Sequence, residues 1–156
     1  MADSGIVAAT AAHLEQLVDL LLQLEEAMEH PAPGSSPSEE TAALIRANLA
    51  ALLEDPAAYV LVAEEAGGRA VGLVSFSQRR TLLHPGPSAL IDELVVDAAA
   101  RGAGWGRRLI QATCDEARRR GCCEVEVSTE KSNGAARDFY RSVGFDEDAV
   151  LLERDL

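Results

Sequence analysis

This sequence predicts one α/β domain, a mixed sheet with helices on its faces, and three observations lead there. Its 156 residues suit a single domain. Segments with the two-residue period of strands alternate with segments of helical period. Their order, β-α-α-β-β-β-α-β-α-β, shows no internal repeat and no linker long enough to divide the chain, so residues 1–156 are read as one unit.

Ile6 to Thr10 is a short first strand. From Ala12 to Glu29, Leu14, Leu17, Val18, Leu21, Leu24 and Met28 mark one helical face. The composition of His30 to Ser35 predicts a loop. Ser36-Pro37-Ser38-Glu39 reads as a helix start, with Ser36 as cap, Pro37 at the first helical position and Glu39 closing a capping box. Ile45, Leu49, Leu52 and Leu53 give that second helix its apolar side, and Pro56 lies beyond its end. Tyr59–Glu64 and Ala70–Ser77 form a hairpin around Glu65-Ala66-Gly67-Gly68-Arg69. A loop from Thr81 to Pro87 precedes the strand Ala89–Val96, whose Leu94-Val95-Val96 end is apolar on both faces, as in a central strand. A glycine-rich turn opens a helix from Trp105 to Arg120, stopped by Gly121. Cys122–Thr129 alternates as a strand, Asn133–Val143 is a short helix stopped by Gly144, and Ala149–Leu156 is expected to be a last strand.

The apolar fraction, 47%, is that of a folded soluble protein. No apolar run approaches the ~20 residues of a membrane helix, and Met1 to Gly5 lacks the basic-then-apolar pattern of a secretory signal. Cys114, Cys122 and Cys123 are odd in number and two are adjacent, a poor disulfide framework that points to the reducing cytoplasm. The net charge of −12 argues against nucleic acid as a partner. The charge is unevenly divided: residues 1–65 hold 12 acidic residues and one basic residue, Arg46, whereas residues 66–156 are nearly neutral at −1. An acidic half of this kind is either a solvated face or a field that attracts a cation. His13, His30 and His84 have no metal-ligand spacing, and no metal is expected.

Between strand and helix runs Asp97-Ala98-Ala99-Ala100-Arg101-Gly102-Ala103-Gly104-Trp105-Gly106-Arg107-Arg108. Small residues there allow close backbone approach to a ligand, and free N–H groups of the helix start suit phosphate. A dinucleotide fingerprint would need glycine where Arg107 stands, and a P-loop would need Gly-Lys-Ser/Thr. The turn is therefore an anion site of another kind.

With Arg101-x-x-Gly104-x-Gly106 behind a strand ending Leu94-Val95-Val96-Asp97, the chain resembles the GNAT family of N-acetyltransferases. A second set carries the same resemblance: Asn133, Ala135, Ala136, Phe139, Tyr140, Gly144 and Phe145. The two motifs stand at the right separation, and the resemblance covers essentially the whole chain. It implies a mostly antiparallel central sheet flanked by helices, acetyl-CoA as acyl donor, an amine as acceptor, and direct attack in a ternary complex. Dimers are frequent in the family.

The resemblance also implies roles. Backbone N–H groups of Gly102, Ala103, Gly104, Trp105, Gly106 and Arg107, with Arg101 beside them, would hold the pyrophosphate. Leu94, Val95 and Val96 would lie along the pantetheine arm, one N–H polarising the thioester carbonyl as an oxyanion hole does. Asn133 and Ala136 would contact the cofactor, and Tyr140 would protonate the leaving thiolate. An amine of pKa near 10.4 must lose a proton before attack, at about 4.6 kcal/mol at pH 7, and a base offsets part of this. Asp92 and Glu93 are the candidate bases. As neighbours on a strand they should point to opposite faces, Glu93 with Ile91 and Val95, Asp92 with Leu90 and Leu94. Glu93 is preferred for its reach, and a carboxylate paired with arginine is the structural alternative. The first two helices would border the acceptor, which makes Glu25, Glu26 and Glu29 candidate contacts for a small cationic amine, with His84 from a neighbouring loop. Two other functions stay open: a non-catalytic acetyl-CoA-binding regulator, and an acetyltransferase of protein N-termini or lysines.

Overall fold

The computed structural model describes residues 5–28 and 38–156. Five strands form one sheet in chain order, β1 (Ile6–Ala8), β2 (Ala58–Glu64), β3 (Ala70–Arg79), β4 (Ser88–Val96) and β5 (Glu124–Val127). The first three pairings are antiparallel and β4 with β5 is parallel. The helices are α1 (Leu14–Met28), α2 (Glu39–Glu54), α3 (Trp105–Arg119) and α4 (Gly134–Ser142).

Each face of the sheet carries its own core. Leu17, Val18 and Leu20 of α1 and Leu49 of α2 bury against Val60, Val62, Leu73 and Val95. On the other face Leu109, Ile110 and Ala117 of α3 bury against Val74, Phe76, Ala89 and Ile91, with Phe139 and Tyr140 of α4 at the margin. Each fully buried Val, Leu, Ile or Phe among them contributes roughly 1.5–3 kcal/mol relative to exposure. Gly72 permits the close seat of α3: a Cβ there would lie 2.9 Å from Val95 O and 3.2 Å from Leu109 Cδ1.

Three sequence expectations are corrected. The cap of α2 is Ser38, whose Oγ accepts the Thr41 N–H at 3.1 Å, so Glu39 opens the helix; Ser36 and Pro37 lie outside the described residues. Cys122 and Cys123 precede β5 instead of belonging to it, and Cys122 is half-buried while Cys123 is exposed. Ala149–Leu156 is not a strand, and Val150 and Leu152 are 85% and 88% exposed. Arg141 binds Phe145 O at 2.9 Å and Asp148 Oδ1 at 2.6 Å, which ties the start of this segment to α4 and away from a ladder partner.

Candidate active site

The site is built where β4 and β5 part. Their ladder runs only from Ser88↔Glu124 to Ile91↔Val127, so β4 continues from Asp92 to Val96 without its parallel neighbour. Asp97 N–H donates to Val71 O at 2.8 Å. By antiparallel alternation Val95 then also turns its N–H to β3, and the N–H groups of Leu94 and Val96 point into the gap. Val95 itself buries its side chain in the α1/α2 core. Of the three strand residues expected along the pantetheine arm, Leu94 and Val96 thus present backbone donors to the opening.

A β-bulge sits at the point of divergence. Ser75 pairs with Glu93 and Phe76 with Ile91, leaving Asp92 as the extra residue of β4. The expectation of opposite faces fails for this reason. Ser75 and Ser77, two apart on β3, share a face, and they meet both acids. Ser75 Oγ donates to the Glu93 carboxylate and accepts the Glu93 N–H at 3.2 Å; Ser77 Oγ approaches Asp92 Oδ2 at 3.4 Å. Both carboxylates therefore lie on the α1/α2 side with Val95, while Ile91 belongs to the opposite core. Burial pushes the Glu93 carboxyl above its ordinary value, opposed by the Ser75 hydrogen bond and reinforced by the charge of Asp92. Desolvation raises Asp92 too, against the Ser77 bond. Among the described residues neither has a cationic partner, so the arginine-paired alternative does not apply. Two carboxyls held on one face with raised pKa are better proton acceptors than solvated ones.

The other side of the gap belongs to α4. Phe139 reaches Gly106 and lies beside Val96; a Cβ at Gly106 would be 3.2 Å from the Phe139 ring. Phe145 and Val125 of β5 line the same cavity. Tyr140 stands between the two rings, edge-on to Phe139 at 5.3 Å and to Phe145 at 5.4 Å. Its hydroxyl makes no hydrogen bond among the described residues, and burial raises its pKa, which keeps the phenol protonated. Asn133 caps α4, its Oδ1 accepting the Ala136 N–H at 3.0 Å.

Beyond the end of β4 the glycine turn leads into α3. Gly102 and Gly104 have φ of +83° and +82°, and Gly104 is the N-cap of α3. Both are exposed, as are Ala103 and Arg107. The N–H groups of residues 102 to 107 donate to no acceptor among the described residues, as the first turn of a helix requires. They stand at the positive end of α3, where free N–H groups suit an anion. The arginine side chains are otherwise engaged. Arg101 Nε donates to Val96 O at 3.2 Å, Arg107 Nη1 to Ser142 O at the end of α4 at 3.2 Å, and Arg108 stacks on Trp105 at 4.1 Å.

The acceptor candidates separate. Gln23 Oε1 accepts the Ala98 N–H at 3.3 Å, which seats the last turns of α1 over the exit of β4. Glu25, on those turns, has a buried Oε2 with no partner among the described residues, whereas Glu26 is exposed and Glu29 lies outside the described residues. His84 is elsewhere. It pairs with Glu124 at 2.9 Å, at the start of β5, five β4 residues below Glu93 or about 15 Å away along the strand. Sequence reasoning missed Ser75 and Ser77. Their signal was two hydroxyls spaced by two in an otherwise apolar strand. It also missed that Gly106 is a seat for Phe139.

The profile of the acetyltransferase (GNAT) family matches residues 20–145. The chain belongs to this family, a class of acetyl-CoA-dependent N-acyltransferases, and its fold is the family's. A probable glucosamine 6-phosphate N-acetyltransferase 2 of Oryza sativa subsp. japonica is 32% identical over 90% of this chain and 80% of its own length. Glucosamine 6-phosphate N-acetyltransferase 1 of the same organism is 39% identical over 60% of this chain, and the match spans 56% of that protein. Among solved structures, a putative acetyltransferase from Agrobacterium tumefaciens str. C58 superposes with a TM-score of 0.77 at 25% identity, covering 97% of this chain and 99% of the other.

Proposed function

We propose that this chain transfers the acetyl group of acetyl-CoA to a primary amine by direct attack, the amine entering from the α1/α2 side of the gap. The observation that carries this reading is the pair of carboxylates that the bulge sets on one face of β4, on the stretch that runs on past the end of its ladder with β5. A module that only bound the cofactor would need the donor turn but neither the acids nor the phenol.

In this reading the N–H groups of residues 102 to 107 hold the pyrophosphate, and Asn133 and Ala136 line the cofactor's path. The Leu94 or Val96 N–H stabilises the developing oxyanion. Glu93, helped by Asp92, takes the amine proton, directly or through water. As the C–S bond breaks, Tyr140 gives its proton to the sulfur. Acetyl-CoA supplies the activated acyl group when bound, and the protein contributes position and proton transfer.

The acceptor is proposed to be a small cation. The oxygen of Glu25 that has no partner among the described residues and the acidic residues 1–65 support this. The rice relatives are named for an amino sugar phosphate, which makes a phosphorylated amine the competing acceptor. Free cysteines support a cytoplasmic setting, and among the described residues no helix is long and apolar enough to cross a membrane. A homodimer belongs to the same reading and is checked by sedimentation. The acceptor test is a size-matched panel of cationic, neutral and phosphorylated amines with acetyl-CoA at low and high salt. Cationic amines should be preferred, with KM rising with salt and kcat nearly constant. A salt-insensitive preference for neutral or phosphorylated amines would overturn the acceptor assignment.

A further inference from the structure

The end of the sheet remote from the gap holds a second arrangement of chemistry. His84, in the loop before β4, and Cys123 and Glu124, at the start of β5, each offer one donor atom, and the three atoms lie within 4.8 Å of one another. The sequence conceals this, because 38 residues separate His84 from Cys123; the parallel pairing of Ser88 with Glu124 closes the distance.

The backbone around the three is fixed by contacts that do not involve their side chains. Cys123 N–H donates to Pro87 O at 2.9 Å, bolting the loop to the strand entry. Gly86 presses on the α3–β5 turn so closely that a Cβ would lie 2.7 Å from Gly121 O. Only glycine allows that approach. His84 Nδ1 already stands 2.9 Å from a Glu124 oxygen. The thiol of Cys123 has only a long 3.4 Å contact to Gly86 O to give up. All three side chains are exposed, so an ion has an open path.

We propose that His84, Cys123 and Glu124 bind a divalent transition-metal cation, with water completing a four-coordinate site. One imidazole, one thiolate and one carboxylate form a mixed donor set that suits zinc(II) and excludes magnesium or calcium, which take oxygen ligands. Donor atoms of a tetrahedral zinc site lie about 3–4 Å apart, so the trio needs only small rotations. On binding, the Cys123 sulfur releases its proton to solvent and the imidazole coordinates in its neutral form. The site is distinct from the transfer site and ties the loop of residues 84–87 to β5.

The probes are Zn²⁺, in competition with a chromogenic chelator, and Co²⁺, read by its sulfur-to-metal charge-transfer band. The intact protein should bind one ion and show the band. Cys123→Ser should abolish the band, and Cys123→Ser, His84→Ala and Glu124→Ala should each weaken Zn²⁺ at least about 10-fold. Cys122→Ser should keep both, since the Cys122 sulfur faces Gln78 Nε2 at 3.3 Å. No band at millimolar Co²⁺, a band that survives Cys123→Ser, or loss confined to the thiol variant with His84→Ala and Glu124→Ala silent would each overturn the proposal.

Discussion

Replacing Tyr140 by phenylalanine separates a proton donor from a packing residue more cleanly than any other change in this molecule. The Tyr140 ring is held by two edge-to-face contacts, at 62° to Phe139 and 70° to Phe145, each worth about 0.5–1.5 kcal/mol beyond area. Phenylalanine keeps both. The hydroxyl that disappears has no hydrogen-bond partner among the described residues, so its loss leaves none unsatisfied, and stability should change by no more than about 0.5 kcal/mol. The chemistry should respond quite differently. Loss of a general acid lowers kcat by about 10²- to 10⁴-fold, or roughly 2.7–5.4 kcal/mol of barrier. Urea melts give the first quantity, single-turnover quench with saturating acetyl-CoA gives the second, and calorimetry shows that cofactor affinity is kept. Because burial raises the phenol pKa, the wild-type rate should show no falling limb from Tyr140 below about pH 10. An unchanged rate of the chemical step in Tyr140→Phe would refute the role.

The acid pair makes a linked prediction. Glu93 and Asp92 have raised folded-state pKa values, so their contribution to stability is fully present below the unfolded value near pH 4 and is lost as pH rises through the folded value. Glu93→Gln should therefore flatten this decline in pH-dependent melts while lowering kcat most above the folded pKa, where Glu93 is ionised and can accept the proton; a decline of wild-type steepness would contradict the assignment. Ser75→Ala removes both hydrogen bonds to Glu93 and should destabilise by about 1–3 kcal/mol. It should also move the acidic, ascending limb of the pH–rate profile to higher pH, because Ser75 opposes the rise in the Glu93 pKa. A Cβ at Gly104 meets no atom within 4 Å among the described residues, but Gly104→Val forces a branched residue to φ +82°, costing about 1–2 kcal/mol. Its larger effect should be on acetyl-CoA affinity, measured by calorimetry, and unchanged affinity would remove the turn from the phosphate site.

Much of this fold was legible because its signals are local. The step from strand to helix is marked by Gly102 and Gly104, whose φ is positive, and the β2–β3 hairpin by Gly67-Gly68. The bulge at Asp92 was not legible. No glycine or proline announces it, and it arises from pairing with β3, which places two adjacent carboxylates on one face where strand periodicity assigns them to two. The C-terminal segment failed in the opposite way. Its residues favour a strand, but Arg137 and Arg141 hold Asp148 at α4, and a strand without a ladder partner does not form. His84 was misplaced because loop residues carry no periodicity, and only the Ser88↔Glu124 register puts it at the far end of the sheet.

The central claim, that acetyl passes directly from thioester to amine, is tested most directly by acetyl-CoA labelled in its acetyl group, incubated with the preferred amine. Free thiol and labelled amide are counted in the same reaction. Equal amounts are predicted, both falling together in Tyr140→Phe and Glu93→Gln. Thiol release without amide would make the chain a hydrolase, and tight binding with neither product across the amine panel would make it a cofactor-binding module.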